Sequence, residues 1–369
     1  MGTIFDYLSW RGDLSFDQAP FNEVDSLIFA LLSYVDLQGI VPPDHMDSPI
    51  SLQAVANMYL AAHPDPKKDS IGLIIPKDIL KLFRQIKEVR RFRNVGVRAH
   101  TNEIDLEREM QFSATTFLPG NVGTVVAFRG TDDTIVGWKE NFNMSFLPQV
   151  PAQVRAKEYL DEAAAASDGP IYVTGHSKGG NLSAYAAACS LDTTRSRLAG
   201  VWNFDGPGFG GDLLLDERYL ELKPILQTVL PQSSLVGILL NHDEDYTVVK
   251  SRQVGALQHD AFSWNVMGSQ LVRLDSVSAE CKRTDKMVNT WISEMTPEQR
   301  EQFSEALYQV LSSDNALTLT DLVSPKNRWI TRGMQLDPEV GKVLSRTVRA
   351  LINENTKSIF GGLFKKSEE

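Results

Sequence analysis

A serine with a glycine two residues away on each side constrains this chain more than any other feature. Residues 171–181 read IYVTGHSKGGN, so Gly-x-Ser-x-Gly falls between an apolar β-type run and an alanine-rich helical stretch. A serine at a sharp strand-to-helix turn has a strained backbone, and bulky residues two positions away would keep strand and helix apart. Gly175 and Gly179 meet that requirement. We therefore interpret Ser177 as a nucleophile, against the alternative of a glycine-rich loop with an incidental serine.

A second motif lies upstream of the serine. Residues 125–133 read VVAFRGTDD, an apolar strand that ends in Arg-Gly-Thr. Acyl transfer needs two preorganised N–H donors for the oxyanion, one from the residue after the nucleophile and one from the loop after an earlier strand. Lys178 and Thr131 occupy these positions, and Gly130 would let the backbone approach closely. The sequence therefore predicts an oxyanion hole formed by Thr131 and Lys178.

The segments around these motifs predict a mixed sheet. β-type segments at 95–101, 111–117 and 122–128 come first, and the turn at 119–121 favours an antiparallel pair. Helices predicted at 152–166, 181–189 and 219–226 then alternate with strands predicted at 171–174, 200–204 and 235–240. Such alternation is typical of parallel crossovers. We expect an α/β fold with a mixed, mostly parallel sheet flanked by helices.

Helical patterns precede and follow this region. N-terminal helices are predicted at 22–37, 51–62 and 79–94, the last with a basic outer face that we interpret as solvated. From residue 276 onward the pattern is helical only, and Thr296 and Pro297 mark the start of one helix. We therefore expect two parts: a sheet domain with its N-terminal helices at 1–275, and a C-terminal helical layer or lid at 276–369.

Composition argues against several classes of protein. The 369 residues carry 37 Lys and Arg against 47 Asp and Glu, and this net charge of −10 makes nucleic acid an unexpected partner. Two cysteines, Cys189 and Cys281, provide neither a disulfide framework nor a thiolate metal site. The start lacks a signal-peptide pattern, and no apolar run reaches the roughly 20 residues of a spanning helix. We expect a cytoplasmic protein.

Together the motifs resemble a known family. The segments at 126–131, 175–181 and 203–208, with Trp138, resemble the fungal-type (class 3) triacylglycerol lipases of the α/β-hydrolase superfamily. Over residues 6–267 the chain is more similar to a bacterial family of lipase-like cytoplasmic proteins of uncharacterised activity. The resemblance implies an α/β-hydrolase fold. Lys178 departs from it, because the lipases usually have leucine there, and a cation beside the nucleophile would change the local charge.

A nucleophilic serine needs a histidine base, which in this fold follows the serine and the acid along the chain. Only His242 and His259 follow Ser177. His242 comes directly after the strand predicted at 235–240, whereas His259 lies in a loop-like stretch before an apolar segment. We predict that His259 is the base, and the resemblance points the same way.

Three carboxylates follow the predicted strand, at positions 243–245, so the acid is less well determined. Asp245 begins the Asp-x-x-Val pattern common in hydrolases of this fold and is the first choice. Asp243 stays open as an alternative. Asp205 also stays open, because it ends the strand predicted at 200–204, a position that some relatives use for the triad acid.

The sequence thus predicts a serine ester hydrolase that works through an acyl-enzyme and needs neither metal nor organic cofactor. Acyl lipid or lysophospholipid is the substrate that the resemblance implies. A thioesterase, an amidase or a non-catalytic binding protein of the same fold remain alternatives, and the oligomeric state stays open. The tail at 359–366, IFGGLFKK, predicts at most a weak membrane-surface contact.

Overall fold

The computed structural model describes residues 2–64, 78–132, 134–283, 286, 290, 294–312 and 317–318. Within these residues the strands are β1 (Ile50–Ser51), β2 (Gly96–Asp105), β3 (Met110–Leu118), β4 (Thr124–Phe128), β5 (Ile171–His176), β6 (Leu198–Phe204), β7 (Leu226–Pro231), β8 (Tyr246–Val249), β9 (Val266–Met267), β10 (Gln270–Leu271) and β11 (Arg273–Leu274). The helices are α1 (Ile4–Arg11), α2 (Glu23–Leu32), α3 (Leu52–Ala62), α4 (Asp78–Ile86), α5 (Arg90–Arg93), α6 (Ile135–Asn143), α7 (Pro151–Ala165), α8 (Lys178–Cys189), α9 (Asp192–Arg195), α10 (Gly211–Leu214), α11 (Glu217–Leu222) and α12 (Pro297–Leu311).

Nine strands form one mixed sheet in the order β1-β2-β3-β4-β5-β6-β7-β8-β11. Neighbours from β1 to β4 pair antiparallel, neighbours from β4 to β8 pair parallel, and β11 returns antiparallel to β8. The predicted mixed sheet with a parallel centre is therefore confirmed, and it is consistent with an α/β-hydrolase fold. The antiparallel pair of β3 and β4 is confirmed as well.

Helices cover both faces of the sheet. The alternation of side chains along β4 shows the two layers: Val125 and Ala127 belong to the core shared with the N-terminal helices, while Val126 and Phe128 belong to the core shared with α7 and α8. Helix α2 is buried along its whole length between the sheet and the other N-terminal helices. It begins, as predicted, at an Asn22 cap, whose side-chain oxygen accepts from the N–H groups of Val24 and Asp25.

Several predicted elements differ in the structure. Helix α2 ends at Leu32 rather than at residue 37, and the helix predicted at 219–226 ends at Leu222. The helix predicted at 79–94 is interrupted, because α4 ends at Ile86 and the short α5 begins at Arg90. The prediction of a strand at 235–240 is wrong, because those residues form a turn-rich loop. The strand that joins the sheet next to β6 is β7 at Leu226–Pro231. A short apolar run does not by itself distinguish a strand from a loop that packs on the core.

The C-terminal part is described only between residues 276 and 318, with gaps. There α12 begins as predicted, because Thr296 Oγ1 accepts from the N–H of Gln299, and the helix packs against α6. The proposed tail contact falls outside the described residues. No helix in the described part of the chain is both long and apolar enough to cross a bilayer. The division at residue 275 and the cytoplasmic location stay predictions.

Candidate active site

The parallel register brings three loops to one edge of the sheet. Phe128 at the end of β4 pairs with Gly175, and His176 at the end of β5 pairs with Phe204 at the end of β6. The chain leaves the sheet directly after these residues. Thr131, Ser177 and Asp205 therefore follow neighbouring strand ends, the usual place for ligand sites in parallel α/β sheets.

Ser177 lies at the turn between β5 and α8 in a strained conformation. Its φ of +59° and ψ of −133° belong to a region that residues with a side chain rarely adopt, at a cost of roughly 1–3 kcal/mol. A Cβ on Gly175 would lie 2.1 Å from the carbonyl oxygen of Gly179, and one on Gly179 would lie 2.1 Å from that of Phe128. Both glycines are therefore sterically required, as the motif indicates.

The Arg-Gly-Thr loop lies against this turn. A Cβ on Gly130 would come within 3.0 Å of Ser177 Cβ and 2.7 Å of the His176 carbonyl oxygen, so only glycine allows the approach. The side chain of Arg129 is buried and donates to Asp132, whose other carboxylate oxygen accepts from the N–H of Thr134 at 2.9 Å. These contacts hold the loop between β4 and α6 beside the serine.

The two predicted oxyanion donors belong to the two segments next to the turn, the Arg-Gly-Thr loop and the start of α8. Thr131 is buried, and Lys178 is the first residue of α8, where an N–H has no intrahelical acceptor. Among the residues that the structure describes, neither backbone N–H has a hydrogen-bond acceptor. In the described part of the chain, both N–H groups are thus without an acceptor.

The side chain of Lys178 is buried and does not add a free charge beside the serine. Its ammonium lies 2.8 Å from the carboxylate of Glu140, which is also fully buried. The expected change in local charge is therefore offset by an ion pair.

His259 ends a short 3-10 helix at Gly255–His259 and is half-buried. Its Nδ1 donates to Asp205 Oδ2 at 2.6 Å. Its ring lies against that of His176, with the ring centroids 4.6 Å apart, and its carbonyl oxygen accepts from His176 Nε2 at 2.8 Å. His259 is therefore held beside the residue that precedes Ser177.

Asp205 is fully buried and also has a positive φ, +52°. Its Oδ1 accepts from the hydroxyl of Ser234 and from the N–H of Gly237 at 3.1 Å, so both carboxylate oxygens have donors. Burial of a carboxylate requires such donors. One of them, Gly237, lies in the segment that was expected to be a strand, and Ser234 directly precedes that segment.

The first-choice acid, Asp245, is not brought to His259. Its side chain is exposed and, within the described residues, makes no hydrogen bond or ion pair. Asp243 is exposed as well and pairs with Lys223 at 2.9 Å. Of the three predicted candidates, only Asp205 contacts His259 among the described residues. The preference for Asp245 is therefore corrected to Asp205 as the carboxylate that meets the histidine, and its role as the acid stays a prediction.

Glu244, the carboxylate between them, turns inward. Burial alone would raise its pKa, but hydrogen bonds from His242, Thr228 and Tyr219 outweigh that effect and hold the pKa at about 2. His242 Nε2 in turn donates to the carbonyl oxygen of Gly237 at 2.7 Å. This network holds Gly237, the residue whose N–H donates to Asp205.

His176 is a residue of the site that the sequence analysis did not single out. It is completely buried, and burial together with the neighbouring His259 holds its pKa well below the ordinary value. Its ring is therefore neutral, with Nε2 donating to His259 and Nδ1 accepting from the Tyr34 hydroxyl at 3.0 Å. Its position directly before Ser177 could have indicated that it belongs to the site. The sequence motif does not reveal its two hydrogen-bond partners, Tyr34 and His259.

The hydroxyl of Ser177 forms no hydrogen bond with any described residue, His259 included. Catalytic contacts of this kind are often long and tighten only when substrate binds. The arrangement holds a strained serine, a histidine oriented by a buried carboxylate and two unpaired N–H groups, which are the parts of an acyl-transfer site.

Comparison with known proteins shows which family the chain belongs to. The family model described as Mbeg1-like matches residues 86–309, more than half of the chain. No curated protein matches the chain. Among solved structures, the chain is similar to one described as M37 lipase, at 15% sequence identity and a TM-score of 0.36, over 58% of this chain and 68% of that one. A likeness this distant has no bearing on activity.

Proposed function

Since the chain belongs to the Mbeg1-like family, we propose for this member the activity that its own site supports best: a serine hydrolase that cleaves carboxylic esters. The observation that carries the proposal is the hydrogen bond of 2.6 Å between His259 Nδ1 and the buried Asp205, beside a serine at a positive φ. A buried carboxylate on Nδ1 leaves Nε2 free to accept a proton.

The reaction proceeds in two halves. Ser177 Oγ attacks the acyl carbon while His259 Nε2 takes the hydroxyl proton, and the N–H groups of Thr131 and Lys178 bind the oxyanion. The C–O bond to the leaving group breaks, and His259 returns the proton to the departing alcohol. Water then attacks the acyl-enzyme with His259 as base, which releases the acid and restores Ser177. Asp205 keeps the imidazole oriented throughout.

An acyl-lipid or lysophospholipid-like ester is the substrate class that we propose. Asn181, one helical turn after Ser177 on α8, donates to the carbonyl oxygens of Pro207 at 3.1 Å and Gly208 at 2.9 Å and so holds the loop after β6 against this helix. A small cleft beside Gly208, with room for about one water molecule, is lined by Met144, Leu147, Gln153, Phe209, Leu213 and Leu240. The proposed substrate class therefore follows the resemblance to the fungal-type lipases, and esters graded by acyl length test it.

Two measurements on the full chain test this function. A fluorophosphonate probe should label wild type at Ser177, and p-nitrophenyl esters should be hydrolysed; both signals should vanish in Ser177→Ala. The matched control is Ser183→Ala on the same helix, whose hydroxyl only donates to the Gly179 carbonyl oxygen at 2.8 Å. Turnover retained in folded Ser177→Ala would refute the proposal.

The alternatives are separated by the same assay. A panel of esters, thioesters and amides graded by acyl length, run on wild type and Ser177→Ala, identifies the scissile bond. A folded wild type that neither labels nor turns over any of them favours a binding protein with the hydrolase fold.

A further inference from the structure

Helix α6 is connected to both predicted oxyanion donors. The first connection is the buried pair of Lys178 and Glu140. The ammonium of Lys178 donates to Glu140 Oε2 at 2.8 Å and to the carbonyl oxygen of Gln111. Glu140 also accepts from the N–H of Gln111 at 3.0 Å and from that of Ala152 at 2.8 Å. Because an unpaired buried charge is strongly unfavourable, the start of α8 cannot move away from Glu140 without penalty.

The second connection comes from the next residue of the same helix. Asn141 Nδ2 donates to Thr131 Oγ1 at 2.6 Å. Helix α6 also begins at the Thr131 loop, since Thr134 is its cap and accepts from the N–H of Gly137 at 3.3 Å. Successive helical residues point about 100° apart, so neighbours on one helix can hold two different loops. Glu140 holds the Lys178 side and Asn141 holds the Thr131 side.

Oxyanion stabilisation depends on donors that are already at the right separation, because moving them during the reaction costs energy. We infer that Glu140 and Asn141 are positioning residues: they set the two N–H donors, of Lys178 and Thr131, relative to each other and to Ser177. This inference rests on the proposed function. In this role, helix α6 connects the loop that contains Thr131 to the start of α8, which contains Lys178.

Residues on the opposite side of α6 provide a control, because their contacts do not involve the predicted oxyanion donors. Lys139 pairs with Glu109 at 2.7 Å and with Glu305 of α12 at 2.5 Å. Phe142 packs on Phe303 of α12, with the ring centroids 5.0 Å apart. These contacts attach the helix to its surroundings without touching Thr131 or Lys178. A substitution of Lys139 therefore weakens the attachment of α6 without removing a contact to Thr131 or Lys178.

The experiment measures kcat and KM for a p-nitrophenyl ester, and the rate of fluorophosphonate labelling, in purified full-length variants. Asn141→Leu removes one connection. The other is removed by Glu140→Gln and, in case the lone lysine prevents folding, by the double variant Glu140→Gln with Lys178→Met, because apolar replacement of a buried pair is often tolerated. Lys139→Gln is the matched control.

We expect kcat to fall about tenfold in Asn141→Leu and in the double variant, with KM nearly unchanged, because only the transition state carries the oxyanion. Labelling rates should fall in parallel. Thr131→Val should add nothing to Asn141→Leu, since both remove the same hydrogen bond. Lys139→Gln should lower the melting temperature but keep kcat.

Three outcomes would overturn the inference. If wild type is active and kcat is unchanged in the folded Asn141→Leu and double variants, the positioning role is refuted while the proposed hydrolase function stands. An equal fall of kcat in Lys139→Gln shows that general loosening of α6 is the cause. A wild type that neither labels nor turns over refutes the proposed function, and the positioning role with it.

Discussion

Asp205 Oδ2 lies 2.6 Å from His259 Nδ1, although 54 positions separate the two residues along the chain. Asp205 follows β6 directly, and β6 is the immediate neighbour of β5, the strand that ends one residue before Ser177. Asp205 therefore reaches His259 from the strand next to the one that leads to Ser177. The loop after β7 contributes Ser234 and Gly237 as donors to the same carboxylate rather than contributing the acid.

The first prediction compares two aspartates by the same substitution. Asp205→Asn should lower kcat by about 10³–10⁴-fold, because an amide no longer holds the imidazole in the tautomer that accepts the serine proton. Asp245→Asn should stay near wild type, since the exposed Asp245 has no partner among the described residues. Ester kinetics with circular dichroism on both variants provide the check. A large loss in Asp245→Asn with an active Asp205→Asn would reverse the assignment.

The second prediction concerns His176. His176→Phe keeps a ring in place but removes the donor to the carbonyl oxygen of His259, which is 2.8 Å away in wild type. A lost hydrogen bond of about 1–1.5 kcal/mol should lower kcat about tenfold, with KM little changed. Tyr34→Phe is the comparison, because it keeps the bond from His176 Nε2 and removes a hydroxyl that contacts His176 Nδ1, the His176 carbonyl oxygen and the Gly130 backbone; it should have a smaller effect. Full kcat in folded His176→Phe would show that the bond does not orient the base.

The third prediction is a pH dependence of stability. His45 is buried against Tyr159, and burial, with the charges of Arg98 and Arg155, lowers its pKa to about 4. The carboxylate of Glu162 lies 3.7 Å away and does not offset these effects. The unfolded chain therefore binds the proton first. The contribution to stability is complete above pH 6.5 and is lost as pH falls from 6.5 to 4.

His45→Phe removes this titration and keeps the ring. Between pH 7.5 and 4.5 the variant should lose roughly 2–3 kcal/mol less unfolding free energy than wild type, as measured by urea titration at both pH values. His45→Gln should flatten the dependence equally, although it is less well packed. Identical pH slopes in all three proteins would contradict the assignment.

The fourth prediction addresses a buried pair in the N-terminal layer. Arg91 donates to both carboxylate oxygens of Asp25, at 2.7 and 2.5 Å, and neither side chain is exposed. Burial raises the pKa of Asp25 despite this partner. Arg91→Met should cost about 3–5 kcal/mol of unfolding free energy, because it leaves the carboxylate unpaired. The exposed Arg90→Met should cost under about 0.5 kcal/mol in the same urea titration; comparable losses in the two variants would count against the pair.

Secondary structure was predictable where one periodicity dominated. Helices α2, α3 and α7 and strands β3 to β6 lie close to the predicted positions, because their apolar residues repeat at the helical or the strand spacing. The wrong prediction of a strand at 235–240, instead of β7 at Leu226–Pro231, has a different cause. Both segments are short and apolar, and only the pairing of β7 with β6 and β8 makes one of them a strand. Pairing is a long-range property that a local pattern does not contain.

The sequence by itself determined the features that depend on backbone sterics over a few residues: the turn at Ser177, its two required glycines and the Arg-Gly-Thr loop. Tertiary structure alone decided which carboxylate meets His259 and that the ammonium of Lys178 is neutralised by Glu140. The physical reason is distance along the chain. Local crowding acts between near neighbours in sequence, whereas burial and hydrogen-bond partners arise only when the sheet brings separate strand ends together.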